Sequence, residues 1–183
     1  MHAYDYAHRS GIEEVTWARF VELARALSEQ LAPQGVQAVV GIARAGLFPA
    51  TAVACALRCD IFPVRITRRE NDRVVHAHPV WKVDLAPEVA GRTVAVIDEM
   101  ADTGETMRLV AARAREQGAG RVITAALAAH SWAQPQPDVT VLPTDALVIF
   151  PWDRRVLVDG RWQLHPELAQ AIEQQGIDPG HFA

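Results

Sequence analysis

Four short, nearly uninterrupted apolar runs constrain this chain most: Val36–Ala43 (VQAVVGIA), Thr93–Ile97 (TVAVI), Arg121–Ala128 (RVITAALA) and Leu147–Phe150 (LVIF). They are strand-length, rich in β-branched residues and alanine, and continuous rather than alternating. Strands of that kind are covered on both faces, as in parallel sheets. Helical patterns lie between them. Thr16 caps a helix whose apolar positions Phe20, Leu23, Leu27 and Leu31 follow the helical period, closing before Pro33. Gly46 and Pro49 mark the turn into a second helix through Ala50–Leu57, and Gly104–Gln117 reads as a third, ended by Gly118. Strands alternating with helices make βαβ units, hence an α/β fold built on a parallel sheet flanked by helices.

Asp60–Ile66 supplies a further strand, in which Pro63 is tolerated only at an edge or a start. Thr67–Pro87 departs from the pattern. It is polar and weakly periodic through RRENDRVVHAHP, and reads as a long excursion or hairpin off the sheet. A Pro-rich link, QPQPDVTVLPTD, precedes the last apolar run; the tail carries a hairpin signal at Asp159-Gly160 and a helix near Pro166–Gln175. With 183 residues and no repeat, the chain reads as one domain with a flexible loop at about 67–87 and a small C-terminal hood or tail at about 143–183.

Charge and cysteine usage narrow the function classes. A net charge of −4 argues against a general nucleic-acid binder. No apolar run is long enough to span a bilayer, and Met1–Ser10 does not read as a signal peptide. Cys55 and Cys59, one helical turn apart, suit reduced buried thiols better than a disulfide. The expectation is a cytoplasmic protein with neither a nucleic acid nor a membrane as partner. Of 18 basic residues only Lys82 is a lysine.

The chemistry concentrates in Val94–Met107 (VAVIDEMADTGETM). An apolar strand delivers Asp98 and Glu99 at its carboxyl end, where ligand crevices of open α/β sheets form. Asp102-Thr103-Gly104-Glu105-Thr106 follows and runs into a helix. The glycine permits close backbone approach, the threonines bring hydroxyls, and the helix start offers free N–H groups. That is a cradle for a phosphate monoester. Acids beside such a cradle suit sugar hydroxyls or Mg²⁺ rather than the phosphate itself. The string is neither a Walker A loop nor a G-x-G-x-x-G fingerprint. A strand end followed by a simple helix cap accounts for isolated acids, but not for the whole ordered string.

Strand-Asp-Glu-x-x-Asp-Thr-Gly-x-Thr resembles the phosphoribosyl-pyrophosphate (PRPP) motif of type I phosphoribosyltransferases. Among these, the chain is most similar to small bacterial and archaeal enzymes for xanthine, guanine and hypoxanthine. The similarity spans about Val15–Asp153, including Val40–Leu47 (VGIARAGL) and Phe150–Asp153 (FPWD). It implies a parallel sheet with a small hood and a flexible loop, transfer of phosphoribose from PRPP to a nucleobase in purine salvage, Mg²⁺ as cofactor, and a homodimer or homotetramer. By position, Asp98 and Glu99 would hold the ribose hydroxyls directly or through Mg²⁺, and Asp102 would accept a proton near the purine N7. Thr103, Gly104, Glu105 and Thr106 would surround the 5′-phosphate. Arg44, Ala45 and Gly46 would form the pyrophosphate loop, often with a non-proline cis peptide; Ala45 replaces the usual glycine, leaving open whether Arg44-Ala45 is that bond. Arg68, Arg69 and Lys82 carry the right charge for pyrophosphate, although a solvated charged loop is the plainer reading. His76 and His78 are read as surface residues.

The acceptor side departs from the family pattern. Leu147 stands where relatives place an aromatic that stacks on the base, and His130 where they aim a lysine at the purine O6. Val148 would offer backbone groups to the base; Asp153 would accept from an exocyclic amine and serve Mg²⁺ with Asp98 and Glu99. Trp132 and Trp152 are candidate replacement stacking faces, or ordinary core residues. A PRPP-binding regulator without turnover and a transferase for a non-purine acceptor are the alternatives. The roughly 15 residues before the first helix leave no room for the added domain that regulators of this fold carry.

Overall fold

The computed structural model describes residues 9–70 and 73–182. Residues 1–8, within the segment read as no signal peptide, residues 71–72 of the excursion, and residue 183 lie outside them. The chain runs through β1 (Ile12–Glu14), α1 (Trp17–Leu31), β2 (Ala38–Ile42), α2 (Leu47–Leu57), β3 (Asp60–Thr67), β4 (Arg69–Glu70), β5 (Arg73–Val74) and β6 (Val80–Val83). It continues through β7 (Thr93–Ala101), α3 (Glu105–Glu116), β8 (Arg121–Ala129), β9 (Val139–Pro143), β10 (Leu147–Ile149), β11 (Arg155–Val158), β12 (Arg161–Leu164) and α4 (Pro166–Gln174). The backbone gathers into two compact units, Glu22–Thr144 and Met1–Val21 with Asp145–Ala183.

The Glu22–Thr144 unit holds a six-stranded sheet ordered β6-β3-β2-β7-β8-β9. All neighbouring pairs are parallel except β3–β6. The apolar runs are buried as their continuity predicts: Val39, Val40, Val94–Ile97 and Ala125–Ala128 are all inaccessible to solvent. Helices α2 and α3 cover the sheet. Gly41 lets α2 lie close, because a Cβ there would meet Ala50 Cβ and Leu47 Cδ2, both at 2.8 Å. Pro63 pairs with Gly41 on β2, while β6 joins the other side of β3 only from Arg65 onward. The proline thus sits where its strand has an open side.

Four boundaries differ from the sequence reading. Helix α2 starts at Leu47, with Pro49 inside its first turn, where backbone N–H groups need no helical partner. Strand β7 continues past Ile97 to Ala101 because β8 keeps pairing with it after β2 has ended. The end of the Pro-rich link forms β9 on β8, and the excursion, after the hairpin read for it (β4–β5), returns to the sheet as β6. Cys55 and Cys59 are free, but Cys55 is exposed and Cys59 half-buried, because α2 turns Val53 and Ala54 inward instead. Burial pushes the Cys59 thiol up.

In the other unit β1 pairs in parallel with β10. Leu147, Ile149, Ala171 and Ile172 form its core. The Asp159-Gly160 signal is the turn of the β11–β12 hairpin, both residues at positive φ (49° and 76°), as a type I′ turn demands. Phe150 stacks on Trp152, which also meets the rings of Trp17 and Phe20. Helix α1 begins on the Thr16 cap, whose hydroxyl accepts from Arg19 N at 3.1 Å.

Candidate active site

The order of the six strands reverses between β2 and β7. After β2 the chain continues outward through β3, and after β7 through β8. Such a switch point opens a crevice at the strands' carboxyl ends. Here β2 pairs with β7 through Gly41↔Ile97 and no further, while β8 stays with β7 to Ala101. Asp98 and Glu99 therefore sit on the stretch of β7 that β2 has left.

The loop leaving β2 is fitted against them. A Cβ on Gly46 would stand 2.5 Å from both Asp98 Oδ1 and Ile42 O, so any other residue would force the acid or the backbone to shift. The loop contains a cis peptide at Ala43-Arg44, one bond before the Arg44-Ala45 bond left open by the sequence. Arg44 is exposed, Ala45 half-buried and Gly46 buried. Asp98 Oδ1 accepts from Glu99 N at 3.0 Å. Burial pushes the Asp98 carboxyl up, and the Glu99 contact only partly opposes it.

Beyond β7, Asp102 and Thr103 lead to Gly104 at φ 81°, the N-cap of α3. A Cβ on Gly104 would stand 2.7 Å from Pro135 O, and Gln134 N donates to Thr103 O at 2.9 Å. The loop after β8 thus braces the cradle. Thr103 is exposed and Thr106 half-buried at the start of α3, while Glu105 Oε1 faces His78 Nδ1 at 3.2 Å. The arrangement presents two acids, the start of α3, where Glu105 N donates to Thr103 Oγ1 at 3.4 Å, and an arginine-bearing loop around one strand end, which is chemistry for a phosphorylated sugar.

Residues 16–157 match the phosphoribosyl transferase domain family. The chain belongs to that family. It is a phosphoribosyltransferase, moving a phosphoribosyl group from PRPP to an acceptor. It is 32% identical over 146 residues to a xanthine-guanine phosphoribosyltransferase of Nitratidesulfovibrio vulgaris, covering 78% of this chain and 85% of that one. It is 29% identical over 154 residues to the Cereibacter sphaeroides protein of the same name, covering 80% and 89%. A purine phosphoribosyltransferase of Pyrococcus horikoshii shares the fold, with TM-score 0.71 at 24% identity, over 81% of this chain and 98% of that one.

Other expected site residues of this phosphoribosyltransferase lie in three places. In the excursion, Arg68 is half-buried, and its carbonyl accepts from Val75 N and His76 N. Lys82 Nζ donates to Glu70 Oε1 at 2.8 Å. After β8, His130 is 2% exposed, stacks beneath Trp132 and turns toward Asp102 and Thr144. In the other unit, the Leu147 side chain belongs to the core, Val148 is half-buried between two buried neighbours, and exposed Asp153 donates its N–H to Phe150 O. Trp152 is taken up by the aromatic cluster, whereas Trp132 keeps 40% exposure. Sequence reasoning missed Gly41, Pro135 and Gln136 as shaping residues. The two glycines within VGIARAG were the available signal for close strand–helix–acid packing.

Proposed function

We propose that the acceptor is a 6-oxopurine, namely xanthine, guanine or hypoxanthine, whose ring nitrogen displaces pyrophosphate from C1 of PRPP in purine salvage. The observation that carries this reading is the seating of Gly46 against Asp98 Oδ1, which keeps the arginine loop beside the acids where β2 leaves β7. In this reading Arg44, Ala45 and Gly46 hold the pyrophosphate, with Arg68 and Lys82 from the excursion. Thr103, Gly104, Glu105 and Thr106 take the 5′-phosphate, Asp98 and Glu99 the ribose hydroxyls. Asp102 accepts the acceptor's proton, while Leu147, Val148, Asp153 and His130 belong to the base side. The relatives named for xanthine and guanine support the acceptor class.

Mg²⁺ suits the donor set. It commonly takes one or two carboxylates together with substrate phosphates, keeping several waters, rather than an all-protein cage. Asp98 and Glu99 are such a pair; among the described residues no group of three or more potential metal ligands is found, here or elsewhere. Bound there, the ion would neutralise charge on the leaving pyrophosphate; Asp153 is assigned as a further ligand. No helix among the described residues is long and apolar enough to cross a membrane. The family resemblance adds a homodimer or homotetramer acting in the cytoplasm.

Mass spectrometry after incubation with PRPP, Mg²⁺ and xanthine, guanine, hypoxanthine, adenine or uracil tests the reading. The expected product is the nucleoside monophosphate of a 6-oxopurine. Product from uracil alone would overturn the acceptor class. Bound PRPP with no product from any base would favour a regulator or an unusual acceptor.

A further inference from the structure

The excursion meets the phosphate cradle through a residue that the scheme above does not use. Glu105 is the first residue of α3, so its carboxylate stands in the turn assigned to the 5′-phosphate. An acid there suits an empty helix start. A phosphate monoester brings about −1.5 to −2 charges to the same place, and two like charges then compete for one dipole end.

A counter-group is at hand. His78 Nδ1 lies 3.2 Å from Glu105 Oε1, although 27 positions separate the two residues. Against an ionised carboxylate, which only accepts, Nδ1 is the donor. The His78 side chain is 85% exposed, so solvent can deliver a second proton to the ring. Both partners have fixed supports. Pro79, with its locked φ, joins His78 to β6, which pairs with β3 through Thr67↔Val80 and Ile66↔Trp81. Glu105 N donates to Thr103 Oγ1 at 3.4 Å. Facing the imidazole is the Glu105 carboxylate from α3. Within the excursion, Lys82 Nζ and His76 Nε2 are engaged with Glu70 Oε1 instead, at 2.8 and 3.2 Å.

We propose, on the reading of Thr103–Thr106 as the 5′-phosphate cradle, that His78 is a positioning residue for PRPP. It neutralises Glu105 so that the phosphate can occupy the helix start, and binding draws a proton from solvent onto its Nε2. One N–H bond forms, the ring becomes an imidazolium, and no bond of PRPP changes. The sign follows from linkage: charged His78 favours PRPP, so affinity falls as pH rises through the range in which histidines titrate, about pH 5 to 8. The phosphate of PRPP also titrates there, but identically against every variant.

The test is PRPP affinity by titration calorimetry with Mg²⁺ and no acceptor, at pH 6, 7 and 8, in two buffers of different ionisation enthalpy. The comparison is with His78→Gln, which keeps a donor for Glu105 but carries no charge. Wild type should bind PRPP about two- to fivefold tighter than this variant at pH 6, the worth of one exposed ion pair, and equally at pH 8. At pH 7 wild type should take up more protons on binding. His76→Gln should follow the wild-type profile. In a Glu105→Gln background, with no charge left to neutralise, adding His78→Gln should change nothing. With a base that the wild type converts, the PRPP KM should track these affinities while kcat holds. Wild type and His78→Gln matching at all three pH values would overturn the proposal. A His78→Gln loss that persists in the Glu105→Gln background would do the same, by placing His78 on the phosphate directly. Wild type that binds no PRPP would overturn the cradle assignment itself and the proposal with it, a distinct failure.

Discussion

The loops that follow β7 and β8 stand side by side at the sheet's carboxyl end and are built on different principles. The first, 102–104, continues the chemistry of the strand end in nearby residues: two acids on β7, then Asp102, Thr103 and a glycine that opens α3. The second, 130–136, acquires its geometry from residues far away in sequence. His130 is set by Thr144, Trp132 reaches Asp102, and Gln134 braces Thr103. A loop that binds through backbone N–H groups is written as a spacing. A loop that works by holding someone else's side chain is written nowhere locally.

The contrast breaks first at Gly104. Its φ of 81° and the 2.7 Å that a Cβ would leave to Pro135 O make Gly104→Ala costly twice over. Positive-φ strain and overpacking each cost about 1–3 kcal/mol. We expect a lower melting temperature and loss of PRPP binding by calorimetry; a variant that melts and binds like wild type would remove the idea that the second loop braces the first. Gly46→Ala comes next. Its φ of −60° is ordinary, so only overpacking against Asp98 Oδ1 and Ile42 O applies, at about 1–3 kcal/mol. PRPP affinity should fall with stability there too.

Gln136→Ala probes the second loop alone. It removes the carboxamide that ties three carbonyls, at a stability cost of about 0.5–1.5 kcal/mol for a typical hydrogen bond. Steady-state kinetics should show kcat falling while the KM for PRPP holds. A raised PRPP KM instead would merge the two loops into one device.

Legibility follows the same line through the fold. The apolar runs, the Thr16 cap and the Asp159-Gly160 turn could be read directly, because each rests on neighbours in sequence. Strand β9 was missed because Pro137 and Pro143 frame its VTVL core like a linker, and only pairing with β8 makes it a strand. The acids' strand was read four residues short, since polar Asp98 and Glu99 end the apolar run while β8 carries the ladder on to Ala101. Of the acceptor residues, position alone suggested Leu147 and His130 for the base. Burial in a core and stacking under Trp132 are facts of packing that no spacing states.

The smallest effect belongs to the excursion, where the local and the distant meet. Lys82, the chain's only lysine, donates to Glu70, which also faces His76 Nε2 at 3.2 Å. Chiefly the Lys82 hydrogen bond, and then His76, hold the Glu70 carboxyl below its ordinary 4.5. A carboxyl lowered in the folded state contributes stability above that ordinary value, and the contribution is lost as pH falls through the lowered one. Because the pair is at the surface, Glu70→Gln should leave the melting temperature at pH 7 within the error of the curve, and the small remainder should vanish in acid. The informative readout is the PRPP KM at pH 7. If Lys82 serves the pyrophosphate, freeing it from Glu70 should lower that KM severalfold, against a Lys82→Ala variant that raises it. An unchanged KM in both variants would remove Lys82 from the site and leave the cradle entirely to the loops after β2 and β7.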